Sequence, residues 1–212
     1  MLLTVVDYGV GNLRSIAKSI EKANSDNNLN YSVKVSADVN DVKKSDKIVL
    51  PGQGSFKACK SGIDNIKGLQ EELNESVLAK KKPIYGICAG MQLFATTGHE
   101  EEKTSGLNWI PGEVIKLDLD SSKLKIPHMG WNDLQIEKET PLLEDVKTGD
   151  YVYFVHSYYL DTPQTSAVAA TADYGLRFPA IVSEGNIHAT QFHPEKSQDP
   201  GLHMVENFCT RC

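Results

Sequence analysis

A cysteine stands between two glycines in Gly86-Ile87-Cys88-Ala89-Gly90. The pattern G-x-C-x-G is the thiol counterpart of the nucleophile elbow G-x-S-x-G, in which the glycines remove Cβ atoms that would clash in a sharp turn. Upstream, Ile84 to Ile87 is long enough for a buried strand, and downstream Met91, Leu93, Phe94 and Ala95 read as the start of a helix. A helix N-terminus beneath the sulfur supplies free N–H groups and positive potential, which favour thiolate over thiol. The competing reading is a buried structural cysteine. A second cluster, Gln191-Phe192-His193-Pro194-Glu195, bears on that choice. His193 leaves an apolar strand and is fixed by Pro194, at the kind of strand end where catalytic residues gather in open α/β sheets. An imidazole there takes the thiol proton, and a carboxylate two residues on fixes its tautomer and stabilises the imidazolium. Cys88, His193 and Glu195 thus read as nucleophile, base and orienter. Thiol attack on an acyl carbon also develops an oxyanion, which needs preorganised N–H donors. Leu50-Pro51-Gly52-Gln53-Gly54, a glycine turn at the end of another apolar strand, offers them, although P-G-x-G alone is an ordinary turn.

The elements that must position these groups follow from periodicity. Leu2 to Asp7 reads as a buried strand, and Tyr8 to Asn12 as the turn after it. From Leu13, the residues Ile16, Ala17 and Ile20 recur at helical spacing, and Tyr31 to Val35 alternates like a second strand. Lys47 to Leu50 reads as a third, giving a strand–helix–strand rhythm that implies a parallel sheet with helices on its faces. Phe56 to Leu78 carries helical periodicity, expected as two helices broken near Gly62 or Gly68. Beyond Thr97, the segments 112–117, 132–136, 151–155, 167–171 and 180–182 read as strands, most of them antiparallel. Ile187 to Phe192 is a last strand and Leu202 to Cys209 a closing helix. No repeat or linker divides the chain, so residues 1–212 are expected to form one α/β domain with a mixed, mostly parallel sheet between helical layers.

Composition narrows the function classes. The 212 residues are 40% hydrophobic and 24% charged, which is ordinary for a globular protein able to bury a sizeable core. A net charge of -6 argues against nucleic acid or an anionic membrane as partner. No apolar run reaches membrane-spanning length, and Met1 to Asp7 lacks the basic start of a signal peptide. The four cysteines are irregularly spaced, and free thiols in a reducing cytoplasm are expected. Glu100-Glu101-Glu102 reads as a solvated loop, and Cys59 as a residue of a polar helical stretch without an evident partner. Two other motifs fail. Gly9-Val10-Gly11 lacks the third glycine of a dinucleotide loop, whose place is taken by Arg14. His193-x-Glu195 followed by Cys209-Thr210-Arg211-Cys212 is similar to a zinc deaminase signature, but Phe208 replaces its proline. No cofactor and no metal are expected. Pro127-His128-Met129-Gly130-Trp131-Asn132 gathers residue types favoured at interfaces in a Gly/Pro loop, and its chemistry leaves core and docking patch both open.

Together, Gly86 to Gln92 and Gln191 to Glu195 resemble the class I (triad) glutamine amidotransferases. Within that family, Asp7 to Leu13, Pro127 to Asn132 and Tyr153 to Tyr158 are similar to the glutaminase subunits of imidazole glycerol phosphate synthase, with Pro51 to Phe56 between them. The resemblance runs from the N-terminus to the closing helix. It implies a three-layer fold with helices on both faces of the sheet, and a Cys88 that attacks the side-chain amide of glutamine. His193 then protonates departing ammonia, Glu195 orients His193, and water hydrolyses the thioester. It further implies an oxyanion hole at Gly52 and the Ala89 N–H, and glutamine contacts from Gln92, Ser157 and Tyr158. The implied partner is a (β/α)8-barrel cyclase subunit that receives the ammonia in histidine biosynthesis, docked near Pro127, His128, Met129, Trp131 and Asn132. Ala89 stands where many members carry a larger aliphatic residue, and Gln53 where many carry valine. A related glutaminase serving another synthase, and a silent binding subunit, are the alternatives; the intact Cys88, His193 and Glu195 speak against the second.

Overall fold

The computed structural model describes residues 1–119 and 124–212. The first half alternates strand and helix. Strand β1 (Leu2–Val6) leads to helix α1 (Leu13–Asp26), β2 (Ser32–Ser36), α2 (Val39–Lys44) and β3 (Lys47–Gly52). Helices α3 (Phe56–Asp64) and α4 (Leu69–Asn74) then precede β4 (Ile84–Cys88) and α5 (Ala89–Gln92). The second half is strand-rich: β5 (Thr97–Gly98), β6 (Thr104–Ser105), β7 (Glu113–Lys116), β8 (His128–Asp133), β9 (Gln135–Ile136), β10 (Tyr151–His156) and β11 (Tyr158–Asp161). Strands β12 (Val168–Asp173), β13 (Arg177–Glu184) and β14 (Ile187–Thr190) follow, and α6 (Gln198–Thr210) closes the chain.

The main sheet runs β2-β1-β3-β4-β14-β13-β12-β9. Every pair from β2 to β14 is parallel, and the pairs beyond β14 are antiparallel. Central parallel strands are buried on both faces, which is why β3 and β4 read as continuous apolar runs rather than alternating ones. Their side chains sort by the strand period of two. Leu3, Val5, Val49, Tyr85 and Ile87 pack with Ile16 and Ile20 of α1 and Met204 and Phe208 of α6. Val6, Ile48, Leu50 and Ile84 pack with Val42 of α2, Phe56, Cys59 and Ile63 of α3, and Leu69 and Leu73 of α4. Helices therefore cover both faces, giving the three-layer α/β arrangement. Lys47 reaches under α6 and donates from Nζ to the carbonyls of Phe208, at 2.7 Å, and Cys212, at 2.6 Å. This places a cation at the negative end of that helix.

The expected helical break falls at Gly68, the second of the two places offered, with a left-handed φ of +82°, and three other expectations need revision. Gly62 stays within α3, where a Cβ would lie 2.4 Å from the Tyr8 carbonyl oxygen. The helix after Cys88 is a single turn, because the carbonyls of Leu93, Phe94 and Ala95 accept from the backbone of residues 107–110 instead of continuing it. Residues 128–131, expected as a loop, are strand and extend the strand expected from residue 132. Finally, β8 and β10 join neither the main sheet nor the second, four-stranded sheet β11-β7-β5-β6, but pair with each other as an antiparallel ribbon.

The tightest backbone contact lies where β3 and β4 leave the sheet. A Cβ on Gly90 would sit 2.0 Å from Leu50 O, and one on Gly52 would sit 2.2 Å from Gly90 N. Gly90→Ala is expected to lower the unfolding free energy by about 3 kcal/mol. Gly54→Ala meets nothing within 4 Å and should cost only about 1–2 kcal/mol for its left-handed backbone. Urea denaturation of the two variants tests the contact, and equal losses would disprove it.

Candidate active site

Register alone brings the three sequence clusters together. Gly52 is the Cα partner of Cys88 across β3 and β4, and Thr190 is the partner of Ile87 across β14 and β4. The carboxyl ends of three adjacent parallel strands thus carry the glycine turn, the thiol and the approach to His193. They open into a cavity of about 280 Å³ lined by Gln53, Cys88, Ala89, Gln92, Ser157, Tyr158 and His193 among others.

Cys88 has φ 55° and ψ -114°, a left-handed conformation for a residue with a Cβ. Holding it there costs on the order of 1–3 kcal/mol, which persists only where the surroundings over-determine it. The buried strand before Cys88 and the two glycines around it do so. A Cβ on Gly86 would meet the Phe94 ring at 2.6 Å, and Gly90 is pinned against Leu50 O. The sulfur lies 3.9 Å from Gln191 Nε2.

His193 is held at three points. Its N–H donates to Tyr153 O at 3.1 Å, its carbonyl accepts from Ser197 Oγ at 2.7 Å, and its Nδ1 lies 3.0 Å from Glu195 Oε1. A carboxylate accepts, so Nδ1 carries a proton and Nε2 is left for the thiol. The imidazole and the carboxylate are almost wholly buried, and Asn12 Nδ2 approaches the same carboxylate oxygen at 3.4 Å. Burial pushes the His193 pKa down, but its interactions with Cys88 and Glu195 outweigh that and raise it from 6.5 to about 9.

The turn after β3 is anchored from below. The Tyr8 hydroxyl donates to Pro51 O, and Cys59 Sγ lies 3.7 Å from Gln53 O, so the carbonyls on both sides of Gly52 are held. Burial raises the Tyr8 pKa well above its ordinary value and the Cys59 thiol to about 11, which keeps both as neutral donors. Cys59 is thus a fully buried residue with a partner, contrary to the sequence expectation. Its polar neighbours Lys57 and Ser61 hid the apolar face it belongs to.

Gln92 is buried, and its Nε2 is shared between Tyr158 O at 2.8 Å and Gln191 Oε1 at 3.1 Å. Glu100, expected in a solvated loop, instead lines the cavity and accepts the Phe56 N–H at 2.8 Å. It adds a carboxylate to the cavity lining, and nothing in an acidic run singles it out. Gln191 is a further site residue that the motifs leave without a role, although it lies inside the His193 cluster.

The five residues expected at a docking surface separate. On β8, Met129 and Trp131 point outward, with relative exposures of 62% and 46%, and Trp131 packs edge-on against Tyr153. Pro127 is exposed at the cavity mouth. His128 is only 2% exposed, because the period of two turns it inward, where it stacks on Phe154 and Tyr174. It occupies the core and not the patch. Asn132 is half-buried and donates to Asp173 O at 2.8 Å, tying the ribbon to β12.

NMR titration of His193 is expected to give a midpoint near 9, falling toward 6.5 in Cys88→Ala. A folded pKa above the unfolded one adds stability that is complete below about pH 6.5 and lost as pH rises through about 9. Unfolding midpoints measured across that window should decline less in Cys88→Ala than in the parent chain. A His193 midpoint at or below 6.5 would remove this account.

The profile of the family described as glutamine amidotransferase class-I matches residues 4–212. A protein of Pelagibacter ubique named imidazole glycerol phosphate synthase subunit HisH is 45% identical, over 98% of this chain and 99% of its own. One of the same name from Rhodopseudomonas palustris is 46% identical, over 98% of each chain. A solved structure titled glutamine amidotransferase superposes with TM-score 0.69 at 17% identity, covering 97% of this chain and 98% of that one. A glutamine amidotransferase of Thermotoga maritima gives TM-score 0.64 at 15% identity, covering 92% of this chain and 76% of its own. At such identities, these two structures speak to the fold alone.

Proposed function

The chain belongs to the class-I glutamine amidotransferase family, and from that premise we propose how its residues hydrolyse glutamine. It is the glutaminase subunit of an imidazole glycerol phosphate synthase, releasing glutamate and ammonia in histidine biosynthesis. Cys88 attacks the side-chain amide carbon of glutamine, and the amide oxygen becomes an oxyanion facing the Gly52 turn and the Ala89 N–H. His193 gives its Nε2 proton to the departing nitrogen, so ammonia leaves and a glutamyl thioester remains on Cys88. Water, deprotonated by His193, then cleaves the thioester to glutamate and frees the thiol. Glu195 holds the imidazole in the required tautomer. Gln92, Ser157 and Tyr158 line the part of the cavity that takes the glutamine backbone, and Glu100 supplies a counter-charge for its ammonium. The observation that carries the reading is the register, which sets Gly52 beside Cys88 and brings the strand that leads to His193 alongside them, at the ends of three adjacent parallel strands.

The ammonia goes to a (β/α)8-barrel cyclase subunit, forming a heterodimer. Supporting this, Ile126, Met129, Trp131 and Tyr151 are large exposed apolar side chains on or beside one ribbon, next to the cavity mouth at Pro127 and Val155. The whole chain, 1–212, acts as one glutaminase domain. We place it in the cytoplasm: Cys59, Cys88, Cys209 and Cys212 are all unpaired, which suits a reducing compartment. No described helix is long and apolar enough to cross a membrane.

Glutamate release should rise when a barrel cyclase and its nucleotide ligand are added. Cys88→Ala should lower the stimulated rate by at least ~10³-fold, as loss of a nucleophile does elsewhere. Full stimulated activity in that variant would refute the mechanism. No stimulation by any barrel cyclase would refute the partner. Trp131→Ala should weaken cyclase binding about 30-fold, equivalent to ~2 kcal/mol for a central aromatic anchor; calorimetry of the subunit pair measures it.

A further inference from the structure

The cavity wall formed by residues 156–158 is held by two buried imidazoles that the hydrolytic chemistry does not use. His128 and His156 are direct partners across the β8–β10 ribbon, with His128 Nδ1 3.0 Å from His156 Nε2. On the other side of the second ring, His156 Nδ1 lies 2.9 Å from Tyr158 O. A carbonyl oxygen only accepts, so His156 Nδ1 carries the proton. A neutral imidazole holds one proton, which leaves His156 Nε2 as an acceptor and requires His128 Nδ1 to donate. Both rings therefore adopt the Nδ1–H tautomer, and the donors run in one direction, from β8 to the Tyr158 peptide. Burial favours the neutral state of both rings, lowering His128 to about 4 and His156 to about 3. The Tyr158 carbonyl is a shared acceptor. It also takes Gln92 Nε2, whose second partner, Gln191, reaches Cys88 Sγ through its own amide nitrogen.

We propose that His156 is a positioning residue for glutamine, fixing the Ser157–Tyr158 wall of the cavity, and that His128 is the group that fixes the tautomer of His156. The inference rests on glutamine being the occupant of this cavity. It also gives the docking ribbon a physical connection to substrate affinity. His128 is the inward neighbour of Met129 on a strand whose outward side carries Trp131, so a shift of β8 moves the donor away from His156.

The test uses the full chain with glutamine as ligand. Nitrogen-15 spectra of histidine-labelled protein near neutral pH should show both rings neutral and protonated at Nδ1; an Nε2–H tautomer at either ring overturns the proposal. His156→Leu should raise KM for glutamine about tenfold, the worth of one hydrogen bond, with kcat changed less than about threefold. His156→Asn, whose amide N–H stands near the position of Nδ1–H, should restore most of the loss. His128→Phe should leave the His156 resonances mixed between tautomers and raise KM, whereas His128→Asn should not. An unchanged KM in His156→Leu, or equal losses in the Leu and Asn variants, overturns the proposal. If His156→Leu does not fold, the spectra of the parent chain and the kinetics of His156→Asn still decide. A parent chain that releases no glutamate even with a barrel cyclase and its nucleotide ligand present defeats the glutaminase reading instead, and the tautomer spectra remain a separate test of the histidine pair.

Discussion

The site depends on one contact between two backbones. Where β3 and β4 leave the sheet, Gly90 lies against Leu50 O and Gly52 against Gly90 N, with no room for a single Cβ. That closeness sets the glycine turn beside Cys88, the arrangement the proposed mechanism uses to turn backbone N–H groups, rather than side chains, toward the reacting carbonyl. Errors of an ångström at such a place cost orders of magnitude in rate. The two strands can be forced together because they are buried on both faces, between α1 and α6 on one side and α2, α3 and α4 on the other. The strain at Cys88 is small beside the apolar area that this three-layer packing removes from water.

Electrostatics at the site is a contest between burial and pairing. Removing His193 from water disfavours its cation, and the carboxylate of Glu195 together with Cys88 reverses the sign. At His128 and His156 no carboxylate among the described residues answers the burial, which favours the neutral form of both rings. Four of the chain's histidines, counting also the buried His188, whose pKa is lowered to about 4, thus follow one rule with two outcomes. Only where a buried anion is supplied does an imidazole become a proton donor at neutral pH.

Much of this was legible in the amino-acid order. Strands β1, β3, β4 and β14 stand out because central parallel strands are continuous apolar runs, and Cys88, His193 and Glu195 stand out because glycine and proline punctuate the turns that carry them. What the order concealed has identifiable causes. Pro127 and Gly130 disguise β8 as a loop, since only alternate residues of a ribbon face the core and local spacing does not say which face His128 takes. Glu100 is one of three consecutive glutamates, and its inward turn is decided by the Phe56 N–H at the start of a distant helix. Gln53 O, the partner of Cys59, lies in the glycine turn before α3, where helical spacing places no contact. The order of β13, β12 and β9 at the antiparallel edge depends on pairings that no local pattern encodes.

The β8–β10 ribbon belongs to neither larger sheet, and its two sides look onto different worlds: apolar residues open to the surroundings on one, the hydrophobic core and the buried histidine pair on the other, with the cavity at its end. Residues on the two sides alternate along the same short strands. On the proposed docking side, a substitution that improves the fit to the partner is therefore only one peptide away from the histidines proposed to set the fit to substrate. Such a ribbon ties the evolutionary history of the surface to that of the catalyst. Lineages would drift as matched pairs of subunits, and a glutaminase transplanted onto a foreign partner would inherit altered kinetics before it lost any affinity.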